Sequence, residues 1–250
     1  MNTARRYGTY DAFAWYYIQG WADGFHAEAR PVLEKHVFPL LRQGAPVLDL
    51  CCGAGHLSRL LVAHGYRVTG IDGSEEMLRF ARGLAPEAEF RCEDAREFHF
   101  EPAFDAVLCT FDSLNHVLNL AELEAVFANV HRALKPGGVF FFDLNMADAF
   151  EALWRGAHAS VNETAAAITA GSYDPVEKIG RADVTLFRLE DTWKRSDVTV
   201  LEKCYTVEEA AAALERAGMT EVRSHEACEL GMRGDIALGR RFFFARRPSE

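Results

Sequence analysis

Short apolar runs alternate along the chain with segments whose apolar positions recur every three to four residues. The first run, "PVLDL" (46–50), is followed by a glycine turn and the helical "HLSRLLVAHG", which Gly65 closes as a C-terminal cap. Next come "RVTGID", the amphipathic "SEEMLRFARGL" with Ser74 as its N-cap, "AEFRCED" and the strand "FDAVLCT". A further helix, "LAELEAVFANVHRAL", is stopped by "KPGG" before the strand "VFFFDLN". Strands alternating with helices of about 10–15 residues predict βαβ crossovers and a mostly parallel sheet covered on both faces.

The two ends depart from this rhythm. Residues 1–41 mix Tyr10, Phe13, Trp15, Tyr16, Tyr17, Trp21 and Phe25 with polar positions and predict an N-terminal helical cap. Residues 158–204 read as antiparallel strands with turn signals at "YDP" and "KIG", inserted into the α/β pattern. In "TVEEAAAALERAG" the helix returns, with Thr206 and Glu209 at capping-box spacing and Gly218 at its end. Two last strands, in "TEVRSHEACEL" and "GRRFFFARR", bring the main sheet to about seven. The expectation is one α/β domain over 1–250. The alternation does not give the strand order.

The stretch "VLDLCCGAGHLSRLL" carries the first chemical hint. Gly53 and Gly55 follow a strand directly, where a parallel sheet binds ligands beyond the carboxyl ends of its strands. Glycines there can take positive φ and let backbone approach a ligand. Ser58 stands where a dinucleotide fingerprint has its third glycine, and the chain has no G-x-x-x-x-G-K-[ST] phosphate loop. Acids take the corresponding places: Asp49 before the turn, Asp72 at the end of the second strand and Asp94 after the third. An acid about 20 residues past the turn can accept both hydrogen bonds of a ribose diol. A carboxylate at the first turn suits a cationic amino group, and one after the third strand an adenine amine. Together they fit an adenosyl ligand with a cationic amino-acid tail better than a pyrophosphate.

Composition narrows the partners. Of 250 residues, 49% are hydrophobic and 26% charged, and the formal net charge is −10, which argues against a protein built to grip phosphate backbones. "GRRFFFARR" reads as charges flanking an apolar strand. Six cysteines show no CxxC and no zinc-ligand spacing with histidine, so no metal is expected. With neither a signal-peptide core nor a long apolar span, the expectation is a cytoplasmic protein without a membrane or nucleic-acid partner. Its oligomeric state is not legible.

In order, "VLDLCCGAGHLSRLLVAHGYRVTGIDGSEEMLRFAR", "EFRCEDARE", "FDAVLCTFDSLNHV" and "LKPGGVFFFDLN" resemble the successive motifs of class I S-adenosylmethionine-dependent methyltransferases, over about residues 45–146. The inserted strands resemble the substrate cover of small-molecule methyltransferases of the aminosugar N-methyltransferase type. That resemblance implies a Rossmann-like doubly wound sheet and an S-adenosylmethionine site, with S-adenosylhomocysteine as product. Asp49, Gly53 and Gly55 would line the methionine end, with Cys51 at a position often held by glycine. Asp72 would take the ribose hydroxyls, Gly73 and Met77 would lie against ribose and adenine, and Asp94 and the Ala95 N–H would meet the adenine edge. Thr110 and Phe111 would line the methionine side, with Asn115 and His116 toward the acceptor.

Each role has a plainer counterpart. Asp72 also fits as a helix cap, Asp49 as a loop acceptor, Asp94 as a surface acid, Met77 as a core residue and His116 as a packing residue. The aromatic residues of the N-terminal segment fit either a lid over the cofactor or ordinary core. Methyl transfer from a sulfonium needs alignment of acceptor, methyl and sulfur above all. Where the acceptor must lose a proton, His116 is the first candidate base and Asp112 the second. Arg181, Asp191, Trp193 and Tyr205 in or beside the insertion are unranked candidates for contacts with a small-molecule acceptor. The alternatives are a methyltransferase acting on a macromolecule, an S-adenosylmethionine-binding protein without transfer activity, and a nicotinamide-dependent oxidoreductase.

Overall fold

The structure, a computed structural model, describes residues 8–18 and 21–249, so the first seven residues of the expected helical cap lie outside it. Within that cap, α1 (Gly8–Tyr17) and α2 (Trp21–His36) lead into a short 3-10 turn at Phe38–Leu40. Next comes β1 (Pro46–Leu50), buried along almost its whole length because helices cover both faces of the sheet around it. Then follow α3 (His56–Ala63), β2 (Arg67–Asp72), α4 (Glu75–Leu84), β3 (Glu89–Cys92), β4 (Phe104–Cys109), α5 (Leu120–Ala133) and β5 (Leu134–Asn145). Ser74 caps α4 by accepting from the Met77 N–H.

Beyond β5 lie α6 (Ala147–Leu153), the four strands β6 (Gly156–Val161), β7 (Ala165–Asp174), β8 (Ile179–Leu189) and β9 (Trp193–Lys203), then α7 (Val207–Arg216), β10 (Thr220–Glu226) and β11 (Arg240–Arg246). The main sheet has seven strands in the order β10-β11-β5-β4-β1-β2-β3. Strands β1 to β5 are parallel, while β11 lies antiparallel to both β5 and β10. Residues 227–239 contain no crossover helix, which is why β11 returns antiparallel beside β10. Strand order reverses between β1 and β4, and this places the switch point at their carboxyl ends.

One expectation is corrected. The "KPGG" segment does not separate α5 from the next strand but opens β5 itself. Leu134 pairs with Phe104, and the register shifts before Ala106 meets Val139. Gly137, at φ 76°, takes up the offset in a conformation that costs other residues more.

The second sheet is an antiparallel meander, β6-β7-β8-β9, over 156–203 where 158–204 was expected. Its inner face carries Ala167, Val184, Leu186 and Val198, which pack with Phe13, Ala14 and Tyr16 of α1 and with Met77 of α4. Thus α1 is the layer between the second sheet and the main fold. No helix among the described residues is long and apolar enough to cross a membrane.

Candidate functional site

A cavity of about 560 Å³ opens at the carboxyl ends of β1, β2 and β4, in the size range of small-molecule sites. Residues of α1 and β9 complete its wall. The glycine turn forms one side. Gly53, at φ 51°, lines the cavity and donates its N–H to Asp72 Oδ2 at 2.9 Å, while the Ser74 N–H donates to Asp72 Oδ1 at 2.9 Å. One carboxylate thereby ties the turn to the start of α4, with its remaining lone pairs available to a ligand. Burial pushes the Asp72 carboxyl above its ordinary range, against the pull of the Ser74 and Gly53 N–H groups. A side chain at Gly53 would meet Tyr17, whose ring edge and hydroxyl lie 3.9 Å from the position of its Cβ, so Tyr17 covers the turn.

Gly55 does different work. At φ 85° it precedes α3, and a Cβ there would sit 2.9 Å from Ala81 Cα and 3.0 Å from Ala81 Cβ. It lets two helices touch and does not line the cavity. Asp49 lies beneath the turn, 2% exposed, where its Oδ2 accepts from the Ser58 hydroxyl at 2.6 Å. Burial raises its pKa to about 7. Ser58, in place of a third glycine, is therefore the partner of a buried acid. Cys51 lines the cavity in a left-handed conformation, φ 57°.

Along the adenine side expected from sequence, Gly73, Met77, Asp94 and Ala95 all line the cavity. Asp94 is held by Arg96: Oδ1 accepts from Nε at 2.7 Å and from the Arg96 N–H at 2.9 Å, and Oδ2 accepts from Nη2 at 2.7 Å. Arg96 also reaches Glu122 at 3.1 Å. The stretch "EDARE" contained this arginine without marking it as the partner of Asp94.

The segment after β4 is strained by design. Phe111 and Asp112 both take positive φ, 69° and 49°, and their N–H groups donate to Asp143 Oδ1 and Oδ2 at 2.7 and 3.0 Å. Arg240, itself buried, bridges Asp143 and Asp112, reaching Asp112 Oδ1 at 2.9 Å. The arginine read as flanking an apolar strand is thus the clamp of this turn. Phe111 lines the cavity and stacks on Phe25, ring centroids 4.5 Å apart. Thr110 lies behind the cavity wall, its carbonyl accepting from the Ser113 hydroxyl. Asn115 is fully buried and binds backbone of Asn145 and Lys203, joining the two sheets.

His116 and Asp112 do meet at the cavity. The His116 ring stands edge-on to Tyr10, centroids 5.5 Å apart, with Nδ1 3.3 Å from the Leu201 carbonyl and Nε2 3.7 Å from Glu202 Oε1. Burial lowers the His116 pKa, partly opposed by Asp112. Burial, followed by the nearby charge of Asp112, drives the Glu202 carboxyl well above its ordinary range. Sequence reading missed Glu202, although the alternation of "DVTVLEK" puts it on the same face as Val198. It reaches the cavity on β9, whereas Arg181 and Trp193 are exposed on the second sheet, Asp191 lies in its exposed last turn, and Tyr205 is buried with its hydroxyl on the Val117 carbonyl.

The family described as "Methyltransferase domain" matches residues 47–138, the span from β1 through the glycines of β5. Over those residues the chain is similar to methyltransferase domains. YqeM of Bacillus subtilis (strain 168), a provisional methyltransferase by name, is 39% identical over 115 residues, 44% of this chain and 47% of that protein. A Streptomyces fradiae dTDP-3-amino-3,6-dideoxy-alpha-D-glucopyranose N,N-dimethyltransferase is 34% identical over 126 residues, 48% of this chain and 47% of its own. The chain thus spans about half the length of these curated relatives. Over nearly the whole fold it superposes on S-adenosylmethionine-bound CalS10 of Micromonospora echinaspora, an amino pentose methyltransferase, with TM-score 0.68, 26% identity, and 89% and 91% of the two chains covered. The matched span runs from β1 to the opening residues of β5. The second sheet and α1, which close the cavity, lie outside the matched span.

Proposed function

We propose that this cavity binds S-adenosylmethionine and that the protein transfers its methyl group to a nitrogen or oxygen of a small molecule, releasing S-adenosylhomocysteine. The observation that carries the reading is the pairing of the Gly53 turn with the Asp72 carboxylate at the carboxyl edge of β1 and β2. Two lone pairs of Asp72 are used by backbone N–H groups, and the others suit a ribose diol. The cavity is rich in carboxylates, Asp72, Asp94, Asp112, Glu122 and Glu202 among them, which favours a sulfonium and an ammonium over a pyrophosphate. Met77, Asp94 and Ala95 receive the adenine end, while Cys51 and Phe111 border the methionine end.

The acceptor enters beside His116, under the second sheet, which acts as its cover. All of 1–250 works as one domain in this reading. Aligning nucleophile, methyl and sulfur supplies most of the rate, and Tyr10, Phe13 and Tyr17 exclude water from the sulfonium, whose charge disappears on transfer. An acceptor that must shed a proton passes it to His116 or to the adjacent Asp112. An amine acceptor is favoured by the relatives named for amino sugars.

Ligand-dependent melting tests the donor site. S-adenosylhomocysteine at 100 times its Kd stabilises a fold by about 2.7 kcal/mol, or roughly 5–11 °C in a chain of this size. Asp72→Asn, which retains an acceptor for the turn, is expected to lose most of that shift; an undiminished shift refutes the ribose role. Transfer is then assayed on a panel of small amines and phenols. Tight donor binding with no turnover on any of them points to a binding protein or a macromolecular acceptor.

A further inference from the structure

Asp112 and His116, from the turn after β4, meet Glu202 of β9 at the acceptor end of the cavity. Each offers one ligand atom, and these atoms all lie within 4.8 Å of one another. The donor reading gives Glu202 a share in the charge of the cavity but no contact of its own. Its side chain is 4% exposed, yet Oε2 has no hydrogen-bond partner, a costly state for a buried carboxyl oxygen. Arg240 and the Asn145 side chain favour the ionised carboxyl group and Asp112 opposes it, but none of them hydrogen-bonds Oε2. Asp112 is another carboxylate, and His116 directs Nδ1 at the Leu201 carbonyl, which leaves the Nε2 lone pair toward Glu202 Oε1, 3.7 Å away. Lone pairs therefore converge from three side chains.

The surroundings have the character of a cation site. Among the described residues, Arg240 is the one guanidinium bridging Asp112 and Asp143, and Glu202 adds a third carboxyl group to this buried region. The outer contacts are those that orient metal ligands: a backbone carbonyl on the far nitrogen of the imidazole and an arginine on one oxygen of the aspartate. A His–carboxylate separation of 3.7 Å also suits two donors on one ion at bond lengths of about 2.0–2.2 Å.

We propose that Asp112, His116 and Glu202 bind a divalent transition-metal ion, of the zinc, cobalt or manganese type, at the acceptor end of the cavity. One imidazole with two carboxylates selects such ions over magnesium and calcium, which favour all-oxygen shells. Three protein ligands leave a position open toward the cavity for water or for a hydroxyl or amine of a small molecule. In the loaded protein His116 and Asp112 would be ligands, and the ion would lower the pKa of a bound hydroxyl so that its proton passes to water in the cavity. The inference stands on the three side chains and does not require methyl transfer.

The test is titration of the chelator-treated 250-residue protein with Co2+, read by its visible ligand-field absorption and by calorimetry, with Zn2+ as competitor. One equivalent is expected to bind and to be displaced by Zn2+, and Glu202→Gln and Asp112→Asn are each expected to weaken binding at least about tenfold. Each variant's melting curve shows whether it is folded, and having two guards against one that is not. Absence of stoichiometric binding to the wild type overturns the proposal, as does binding unchanged in a folded Glu202→Gln. Failure of the methyl-donor reading appears separately, as a missing thermal shift with S-adenosylhomocysteine.

Discussion

Replacing Gly55 with alanine separates two reasons for placing glycine in the turn. At φ 85° an alanine bears a left-handed backbone cost of about 1–2 kcal/mol. Its Cβ would lie 2.9 Å from Ala81 Cα, a backbone atom that cannot swing aside, so overpacking adds about 1–3 kcal/mol. Loss of chain freedom in the unfolded state returns about 0.4–1 kcal/mol. The net is about 1–5 kcal/mol of destabilisation, centred near 3, or roughly 2–18 °C in a chain of this length. Gly53→Ala provides the contrast. Its Cβ has nothing nearer than Tyr17 at 3.9 Å, so only the backbone cost applies and the fold loses about 1 kcal/mol. Because Gly53 lines the cavity, that variant should instead show a reduced thermal shift with S-adenosylhomocysteine. Thermal unfolding followed by circular dichroism, with and without the ligand, reads both. A Gly55→Ala protein melting within about 2 °C of wild type would refute the helix-contact argument.

Two further outcomes follow from buried charge. Asp143→Asn leaves Arg240 with Asp112 as its remaining carboxylate partner and weakens the clamp on Phe111 and Asp112; a loss of about 3 kcal/mol in urea unfolding is expected, and a loss under about 1 kcal/mol would show that Asp112 alone satisfies the guanidinium. His26, stacked on His56 with ring centroids 5.2 Å apart, has its pKa lowered to about 3, by burial first and then by His56 and Arg59. The folded state therefore binds fewer protons than the unfolded state between about pH 6.5 and 3, and stability falls as pH drops through that window. Between pH 7 and 5 the loss from this residue is about 1–2 kcal/mol, and His26→Gln should flatten the slope of unfolding free energy against pH relative to wild type. Equal slopes in the two proteins would remove His26 as the cause.

Local signals were legible in the sequence, and contacts between distant segments were not. Ser74 caps α4, and Thr206 with Glu209 forms the reciprocal box at the start of α7, because capping chemistry is complete within four residues. The alternation of strands and helices gave the parallel core, and the β-rich segments placed the second sheet to within two residues of its bounds, with the turn signals marking its β7–β8 turn. Asp143 and Arg240 are different. Each looks unremarkable in its own strand, and they are 97 residues apart, so only the pairing of β5 with β11 brings them together. The two glycines of "CGAG" carry the same letter but meet different neighbours, and Ala81 leaves no trace near Gly55 in the chain. Asp49 is a further case: its partner Ser58 is close in sequence, but burial under the turn, which fixes its role, depends on the whole sheet.

Alternation along β9 leaves little room for slippage. Val198 and Glu202 share the inward face, and the strand pairs with β8 without a break from Ile179↔Lys203 to Leu189↔Trp193. Removing a single residue between Val198 and Glu202 would turn the carboxylate outward and bring Lys203 into its place. The polarity of the acceptor end could thus be inverted by one codon's deletion in a hairpin, while the glycine turn and Asp72 across the cavity kept every neighbour they have.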